Sequence, residues 1–282
     1  MKNFKSDLIS ECGGLSLKKG RTHHINSNLT KQKFVENENC YVIYNCKNVM
    51  FQNLQEEQEL IFNLSKTIKM LLKNSKRVLV VGLGNRHISA DGLGSETLKR
   101  VIATRNLSKS KCEVSVISTS VFGLTGIESA DIIKSVAIIV KPETIILIYT
   151  LCANSYENLI TNFQISNVGF SPGAGVGNYR KVANKSTLKT NVISIGVPMV
   201  VYAKSFVETA INSAMQSTMQ KHEKVCNIAI FNKLLKQNFN NLVLTIKDVD
   251  MCVKKLAYIV GSAINMACNN YSLDEQKIIL GE

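Results

Sequence analysis

Short apolar runs alternate with segments of helical periodicity from residue 77 to the C-terminal region of this 282-residue chain. Strands buried on both faces are predicted for four runs that are too short to be helices: 78–84, 113–118, 144–150 and 191–195. Helices are predicted where apolar residues recur at helical spacing: 95–104, 130–140, 205–219 and 247–269. This alternation predicts a three-layer α/β fold, with a mostly parallel central sheet and helices on both faces.

The segment before residue 77 has a different pattern. Residues 1–38 are polar and basic with little periodicity, which predicts a flexible basic leader. Residues 40–51 are rich in β-branched and aromatic side chains and predict a strand or hairpin, while 55–74 has helical spacing. We therefore divide the chain into a leader and a single α/β domain, 39–282, whose core motifs lie in 77–270.

Composition narrows the classes of function that the chain can serve. The net charge of +13 attracts polyanions, but the basic residues are not interleaved with aromatic ones. We therefore predict a solvated lysine-rich surface and no direct nucleic-acid binding. Eight cysteines form no C-x-x-C pair, which predicts buried reduced thiols and no metal site. Without a signal segment or a long uninterrupted apolar run, we expect a cytoplasmic protein that does not cross a membrane.

The first glycine cluster follows the strand predicted for 78–84. Gly82, Gly84 and Asn85 lead into Ser89–Gly94, and ligands and catalytic groups gather at such strand ends in open α/β sheets. Asp91 is therefore predicted to project into the crevice; as an alternative, it caps the helix that begins near Gly94. His87 stands where a dinucleotide-binding G-x-G-x-x-G motif needs its third glycine, so we expect no nicotinamide cofactor and no cofactor of another kind.

A second glycine cluster, SPGAGVGNYRK, occupies residues 171–181. It lacks the G-K-[ST] ending of a nucleotide-binding P-loop. We predict a loop that brings backbone amides and a side-chain amide to the site, with an ordinary flexible surface loop as the alternative. The residues concerned are Gly173, Gly175, Gly177 and Asn178.

The order of these motifs resembles that of the spore germination proteases. Six segments carry the resemblance: VVGLGN (80–85), ADGLG (90–94), TR (104–105), GLTGIESAD (123–131), PGAGVGN-x-RK (172–181) and IGVP-x-VV (195–201). The tail segments NLVLTIKDVDM (241–251) and GSAINMA (261–267) are similar as well. Each motif alone is weak, but their common order identifies the chain as a divergent member of that family.

The resemblance implies an activity, a fold and partners. Family members are endopeptidases that degrade small acid-soluble spore proteins in the spore core during germination, by an aspartic-type mechanism. Their fold is akin to that of the hydrogenase maturation endopeptidases, within the phosphorylase/hydrolase-like folds, and they form homo-oligomers, in particular tetramers. Their zymogen leader is processed at an Arg-Thr-Asp-type sequence, whereas here Arg21-Thr22 precedes His23-His24. Processing is therefore not implied for this chain.

The resemblance also implies which residues form the catalytic site. The family's first catalytic aspartate matches Asp91, and its second matches Tyr149. A further family aspartate matches Tyr202. Two close carboxyl groups share one proton, so that one can activate water while the other protonates the substrate. A phenol, with a reference pKa of about 10, donates a hydrogen bond but rarely acts as a base.

Three other residues are candidates to replace the missing acid. Glu128 and Asp131 lie in the matched GLTGIESAD segment, and the alternative for both is helix capping and first-turn acidity. His87 precedes Asp91 by four residues and has a near-neutral reference pKa; the alternative is an exposed loop side chain.

Three functions remain open on the sequence. The first is a divergent spore endopeptidase that uses Asp91 with another partner. The second is a catalytically inactive relative that binds spore proteins or regulates an active subunit. The third is a metal-dependent relative, which would need an acid or histidine at Tyr149. We expect a germination protease-like protein of feeble or no activity.

Overall fold

The computed structural model describes residues 6–11, 18–107, 110–170, 180–218 and 242–281. In this part of the chain, the strands are β1 (Lys18–Lys19), β2 (His23–His24), β3 (Leu29–Glu36), β4 (Asn39–Cys46), β5 (Arg77–Leu83), β6 (Glu113–Ser120), β7 (Thr144–Ala153), β8 (Asn162–Ser166), β9 (Asn191–Tyr202) and β10 (Val243–Thr245). They form one sheet in the order β1-β3-β4-β8-β9-β7-β5-β6, with β2 paired to β3 and β10 paired to β9.

Helices cover both faces of this sheet. They are α1 (Leu54–Leu72), α2 (Leu93–Leu98), α3 (Phe122–Thr125), α4 (Ser129–Val140), α5 (Lys185–Leu188), α6 (Ala203–Thr218), α7 (Val249–Asn269) and α8 (Leu273–Leu280). Helix α1 begins with a capping box, in which the Asn53 side chain accepts from the Glu56 amide and the Glu56 carboxylate accepts from the Asn53 amide. Short 3-10 turns at Ile9–Glu11, Ser89–Asp91 and Tyr156–Asn158 complete the elements near the site.

One half of the sheet is parallel and confirms the predicted α/β class. β5 pairs in parallel with β6 and β7, and β7 pairs in parallel with β9. The carboxyl ends of these strands therefore meet along one edge of the sheet, as the sequence predicted for the strands that carry Asp91 and Tyr149.

The other half of the sheet is antiparallel. β3 and β4 form a hairpin that pairs along its whole length, and β4 continues through β8 to β9. Residues 29–36, placed in the predicted leader of residues 1–38, thus belong to the sheet and not to a flexible segment. The sequence did not reveal β3 because its apolar residues, Leu29, Phe34 and Val35, do not alternate with the polar ones. The division of the chain at residue 38 otherwise stays a prediction.

Two elements end far from their predicted boundaries. Helix α2 ends at Leu98 and not at Thr104. Strand β9 continues beyond Ile195 through Pro198 to Tyr202. It tolerates the proline because the register against β7 shifts there, with Leu151 opposite Pro198 and Cys152 opposite Val200.

Two apolar layers hold the helices to the sheet. The larger layer packs α1, α2 and α7 against one face, with Leu64, Leu93 and Leu256 among its buried side chains. The smaller layer lies on the other face, where Ile133 of α4 meets Leu147 and Tyr149 of β7. Helix α7 is long and apolar enough to cross a membrane, but 72% of its apolar window is buried inside the protein. That burial accounts for its composition.

Candidate active site

Asp91 lies in the 3-10 turn that follows β5. The backbone amide of Asn85 donates to Asp91 Oδ2 at 2.7 Å, and the Asn85 side chain accepts from the His87 amide at 3.0 Å. Ser89 in the same turn donates to the carboxylate of Asp250 on α7. The turn is therefore fixed from both sides, which holds the Asp91 carboxyl at the carboxyl end of β5.

Glycines allow this turn to lie directly on the strand. A Cβ atom on Gly94 would lie 2.3 Å from the Leu83 carbonyl oxygen and 2.7 Å from that of Ile148. Gly84 has a φ of +108°, and a Cβ there would lie 2.2 Å from the Asp91 carbonyl oxygen. Gly82 is buried, and a Cβ there would meet the Gly94 carbonyl oxygen at 2.6 Å. These distances explain why glycine occupies positions 82, 84 and 94.

Burial raises the pKa of the Asp91 carboxyl above its ordinary value, and the hydrogen bond from the Asn85 amide opposes part of that rise. Desolvation disfavours the charged form because a half-buried carboxylate loses hydration. Burial thus shifts Asp91 in the same direction that a second carboxylate would.

Asp91→Asn is expected to stabilise the protein at neutral pH. The folded-state pKa of Asp91 is raised above the unfolded value of 3.8, so wild-type stability falls as pH rises from 3.8 through the folded pKa. Asparagine removes that cost and still accepts from the Asn85 amide. Thermal unfolding should give a Tm a few degrees above wild type at pH 7 and no gain at about pH 3.5. An equal gain in Tm at both pH values would contradict the raised pKa of Asp91 as its cause. The same holds if the exposed-site variant Asp274→Asn shows the same gain.

Tyr149 lies within the apolar layer next to α4. Its side chain is buried, and its ring stacks on Phe170 with centroids 3.9 Å apart. Burial raises the pKa of the Tyr149 phenol far above its ordinary value, and a hydrogen bond with Ser194 offsets little of that rise. The Asp91 turn, by contrast, is tied to α7 on the opposite face. Tyr149 is thus a packed, protonated phenol.

Tyr202, the second tyrosine at an expected aspartate position, ends β9 and is buried as well. Burial raises the pKa of its phenol well above the ordinary range, and the nearby Cys152 and Asp7 add to the rise. A phenol that keeps its proton can donate a hydrogen bond but cannot accept a proton from water.

The other predicted acids of the crevice are paired with basic residues. Glu128 lies 3.6 Å from Arg180, and Asp131 lies 2.7 Å from Lys181. Glu128 also occupies the N-cap position of α4, where its side chain makes no capping hydrogen bond, and Asp131 lies in the first turn. Arg180 in addition stacks over the Phe122 ring at 4.4 Å. These ion pairs fasten α4 to the segment that follows the second glycine cluster.

His87 is exposed, and Arg86 donates to its Nε2 at 3.4 Å. The second glycine cluster, with Gly173, Gly175, Gly177 and Asn178, lies outside the described residues. Phe170 before it and Ala183 after it form an antiparallel bridge. Within the residues that the structure describes, no three His, Cys, Asp or Glu side chains come together as a metal site.

Sequence reasoning missed two acids at the end of β7. The backbone of Asp7 pairs with Cys152, and the Glu11 carboxylate is bound by the loop that follows β7. Asp7 lies close enough to Tyr149 and Tyr202 to raise the pKa of both phenols. The apolar Leu8-Ile9 pair between these acids was the only signal, and it was lost in a segment interpreted as a leader.

The fold and the strand-end aspartate define an α/β protein with its candidate site at the carboxyl ends of parallel strands. The family model described as Germination protease matches residues 18–225, and the chain belongs to that family. This result confirms the resemblance inferred from the ordered glycine motifs.

Individual relatives agree with this assignment. A germination protease of Caldanaerobacter subterraneus is 33% identical over 250 residues, which cover 80% of this chain and 77% of the relative. One from Clostridium acetobutylicum is 33% identical over 226 residues, or 72% and 69% of the two chains. Another from Bacillus pumilus is 42% identical over 146 residues, or 49% and 39%. Among solved structures, the [NiFe] hydrogenase maturation protease HycI of Thermococcus kodakarensis matches with a TM-score of 0.39 and 11% identity, covering 70% of this chain and 98% of that one.

Proposed function

We propose that this protein is a slow endopeptidase of small acid-soluble spore proteins, with Asp91 as its catalytic acid and base. The observation that carries the proposal is the Asp91 carboxyl itself, held at a strand end by Asn85 and shifted by burial toward its protonated form. A carboxyl with a raised pKa can serve as an acid and as a base over a wider range of pH.

Low turnover follows from the residues around Asp91. An aspartic-type site needs two carboxyl groups that exchange one proton, and the position of the second is taken by Tyr149. That phenol is packed against Phe170 and keeps its proton. Asp91 must therefore perform both proton transfers alone, and loss of one member of a cooperating set costs several orders of magnitude in rate.

A digestion assay tests this function. Purified wild-type chain, Asp91→Asn and the control Asp274→Asn are incubated with a purified small acid-soluble spore protein, and intact substrate is followed on gels. Asp274 is an exposed residue of α8 and should not affect the rate. We expect slow cleavage by wild type and by the control, and a loss of about 100-fold or more in Asp91→Asn. Equal cleavage by Asp91→Asn and wild type would remove Asp91 from the mechanism.

An inactive, spore-protein-binding relative is the second function that the site allows. Tyr149 and the ion-paired Glu128 and Asp131 favour it over a metal-dependent mechanism, since none presents a free ligand set. Substrate that co-elutes with wild type but stays intact would identify this function.

The same proposal includes location and assembly. A spore-protein endopeptidase acts in the cytoplasm of the forespore and spore core. We also propose a homo-oligomer, with the tetramer as the expected form. Ile138 and Ile139 on α4 and Leu124 on α3 are apolar and exposed, and association of copies would cover such side chains.

A further inference from the structure

Residues 6–11, here called the docked segment, lie along the carboxyl end of β7. The Asp7 amide donates to the Cys152 carbonyl oxygen at 3.0 Å, and the Cys152 amide donates to Asp7 Oδ2 at 3.0 Å. Ser6 adds a hydrogen bond from Oγ to the same carbonyl oxygen at 3.3 Å. The start of the docked segment is therefore held on the main chain of a strand end by one main-chain and two side-chain hydrogen bonds.

The middle of the docked segment combines main-chain and apolar contacts. Gln164 on β8 donates from Nε2 to the Asp7 carbonyl oxygen at 3.2 Å and accepts from the Ile9 amide at 2.8 Å. Leu8 is fully buried beside Tyr149 and Leu151 in the smaller apolar layer. Gln164 thus forms hydrogen bonds with the backbone of the segment on both sides of Leu8. The Leu8 side chain itself is buried among apolar residues.

The end of the docked segment is a carboxylate in a set of donors. Glu11 accepts from the Asn154 amide at 2.6 Å, the Ser155 amide at 3.0 Å and the Asn158 side-chain amide at 2.6 Å. Ser6 Oγ of the segment itself also donates to Glu11. Successive backbone amides that converge on one carboxylate form an anion-binding concavity without any need for a basic side chain.

We propose that residues 152–158 and Gln164 form a peptide-recognition groove, whose carboxylate subsite at Asn154–Asn158 selects a glutamate, and that the docked segment fills this groove in cis. The expected ligand is an acidic peptide with the spacing Asp-Leu-x-x-Glu of residues 7–11, which binds with a 3-10 turn at Ile9–Glu11. The inference rests on the proposed function for the identity of the natural ligand, a spore protein segment. The groove adjoins the buried phenols Tyr149 and Tyr202, and the charge of Asp7 contributes to the raised pKa of both.

Occupation in cis determines what a binding experiment should show. A tethered ligand has an effective concentration of about millimolar, so it competes strongly with free peptide. The apparent affinity for free peptide falls by the fraction of molecules whose groove is open. Weakening the docked segment therefore should strengthen binding of the same sequence in trans.

The test uses a fluorescein-labelled peptide with the sequence of residues 4–11, FKSDLISE, titrated by fluorescence anisotropy into full-length protein. Leu8→Ser/Glu11→Gln opens the groove and should bind the peptide about 10-fold or more tightly than wild type. A peptide with glutamine in place of its glutamate should bind this variant about 10-fold or more weakly. Ser10→Ala serves as the matched control, because Ser10 is exposed within the same segment. It should behave as wild type.

Glu11→Gln alone provides a second readout that needs no added peptide. Hydrogen exchange at the Asn154 and Ser155 amides should accelerate about 10-fold or more relative to wild type, because both amides lose a charged acceptor. This measurement also applies if the double variant does not fold.

The proposal is wrong if the labelled peptide binds the folded double variant no better than wild type, or if the glutamate and glutamine peptides bind equally. Unchanged exchange at both amides in Glu11→Gln would contradict the carboxylate subsite. None of these measurements requires cleavage. If the digestion assay fails but the peptide binds as expected, the proposed function is rejected and the proposed groove is not.

Discussion

Gly94→Ala is expected to destabilise the protein by about 3–5 kcal/mol, which corresponds to a fall in Tm of about 10 °C. A Cβ atom at this position would lie 2.3 Å from the oxygen and 2.5 Å from the nitrogen of Leu83, and 2.7 Å from the oxygen of Ile148. All three atoms are backbone atoms of buried parallel strands, so no side chain can move aside. Thermal and denaturant unfolding, monitored by circular dichroism, measure the loss.

Gly92→Ala is the matched control for this prediction. Gly92 lies two residues earlier, has an ordinary φ of −88°, and its Cβ would approach Ser89 O no closer than 3.3 Å. Its stability should stay within about 1 kcal/mol of wild type. If Gly94→Ala were as stable as Gly92→Ala, the close packing of the Asp91 turn on β5 would not hold in solution.

The parallel half of the fold could be predicted because each of its strands is buried on both faces. β5 and β7 are nearly continuous runs of apolar residues, and α7 has a long amphipathic pattern. The antiparallel half could not be predicted in the same way. β3 carries lysine on one face and glutamine on the other, so its few apolar residues show no period of two. β8 contains Asn162, Gln164 and Ser166, which are buried through hydrogen bonds that no periodicity reveals.

The candidate site was predictable at one strand end and not at the other. The glycines around Asp91 identify a turn from sequence, because only glycine permits the backbone contacts of Gly84 and Gly94. The second strand end depends on contacts between distant parts of the chain. Asp7 and Glu11 reach Cys152 and Asn154 across some 145 residues, and Tyr149 meets Phe170 and Ser194. No local pattern encodes such contacts.

Tyr149→Asp, the substitution that would restore a second aspartate, is expected to destabilise the fold before it can restore catalysis. It removes a buried ring from contact with Phe170 and places a carboxyl in an apolar layer near Asp7, at a cost of about 4 kcal/mol or more. A buried aspartate has a raised pKa, so the loss of stability should be smallest at about pH 4 and should grow as pH rises toward 7.

The comparison with Tyr149→Phe separates packing from chemistry at this position. Phenylalanine keeps the ring on Phe170 and loses only the hydrogen bond with Ser194, which predicts a cost of about 1 kcal/mol with little dependence on pH. Unfolding curves at several pH values and the digestion assay are run on both variants. A Tyr149→Asp protein that is as stable as wild type and cleaves spore proteins faster would show that this strand end still accommodates a catalytic pair. The packing of the Tyr149 ring against Phe170 would then not be needed for stability.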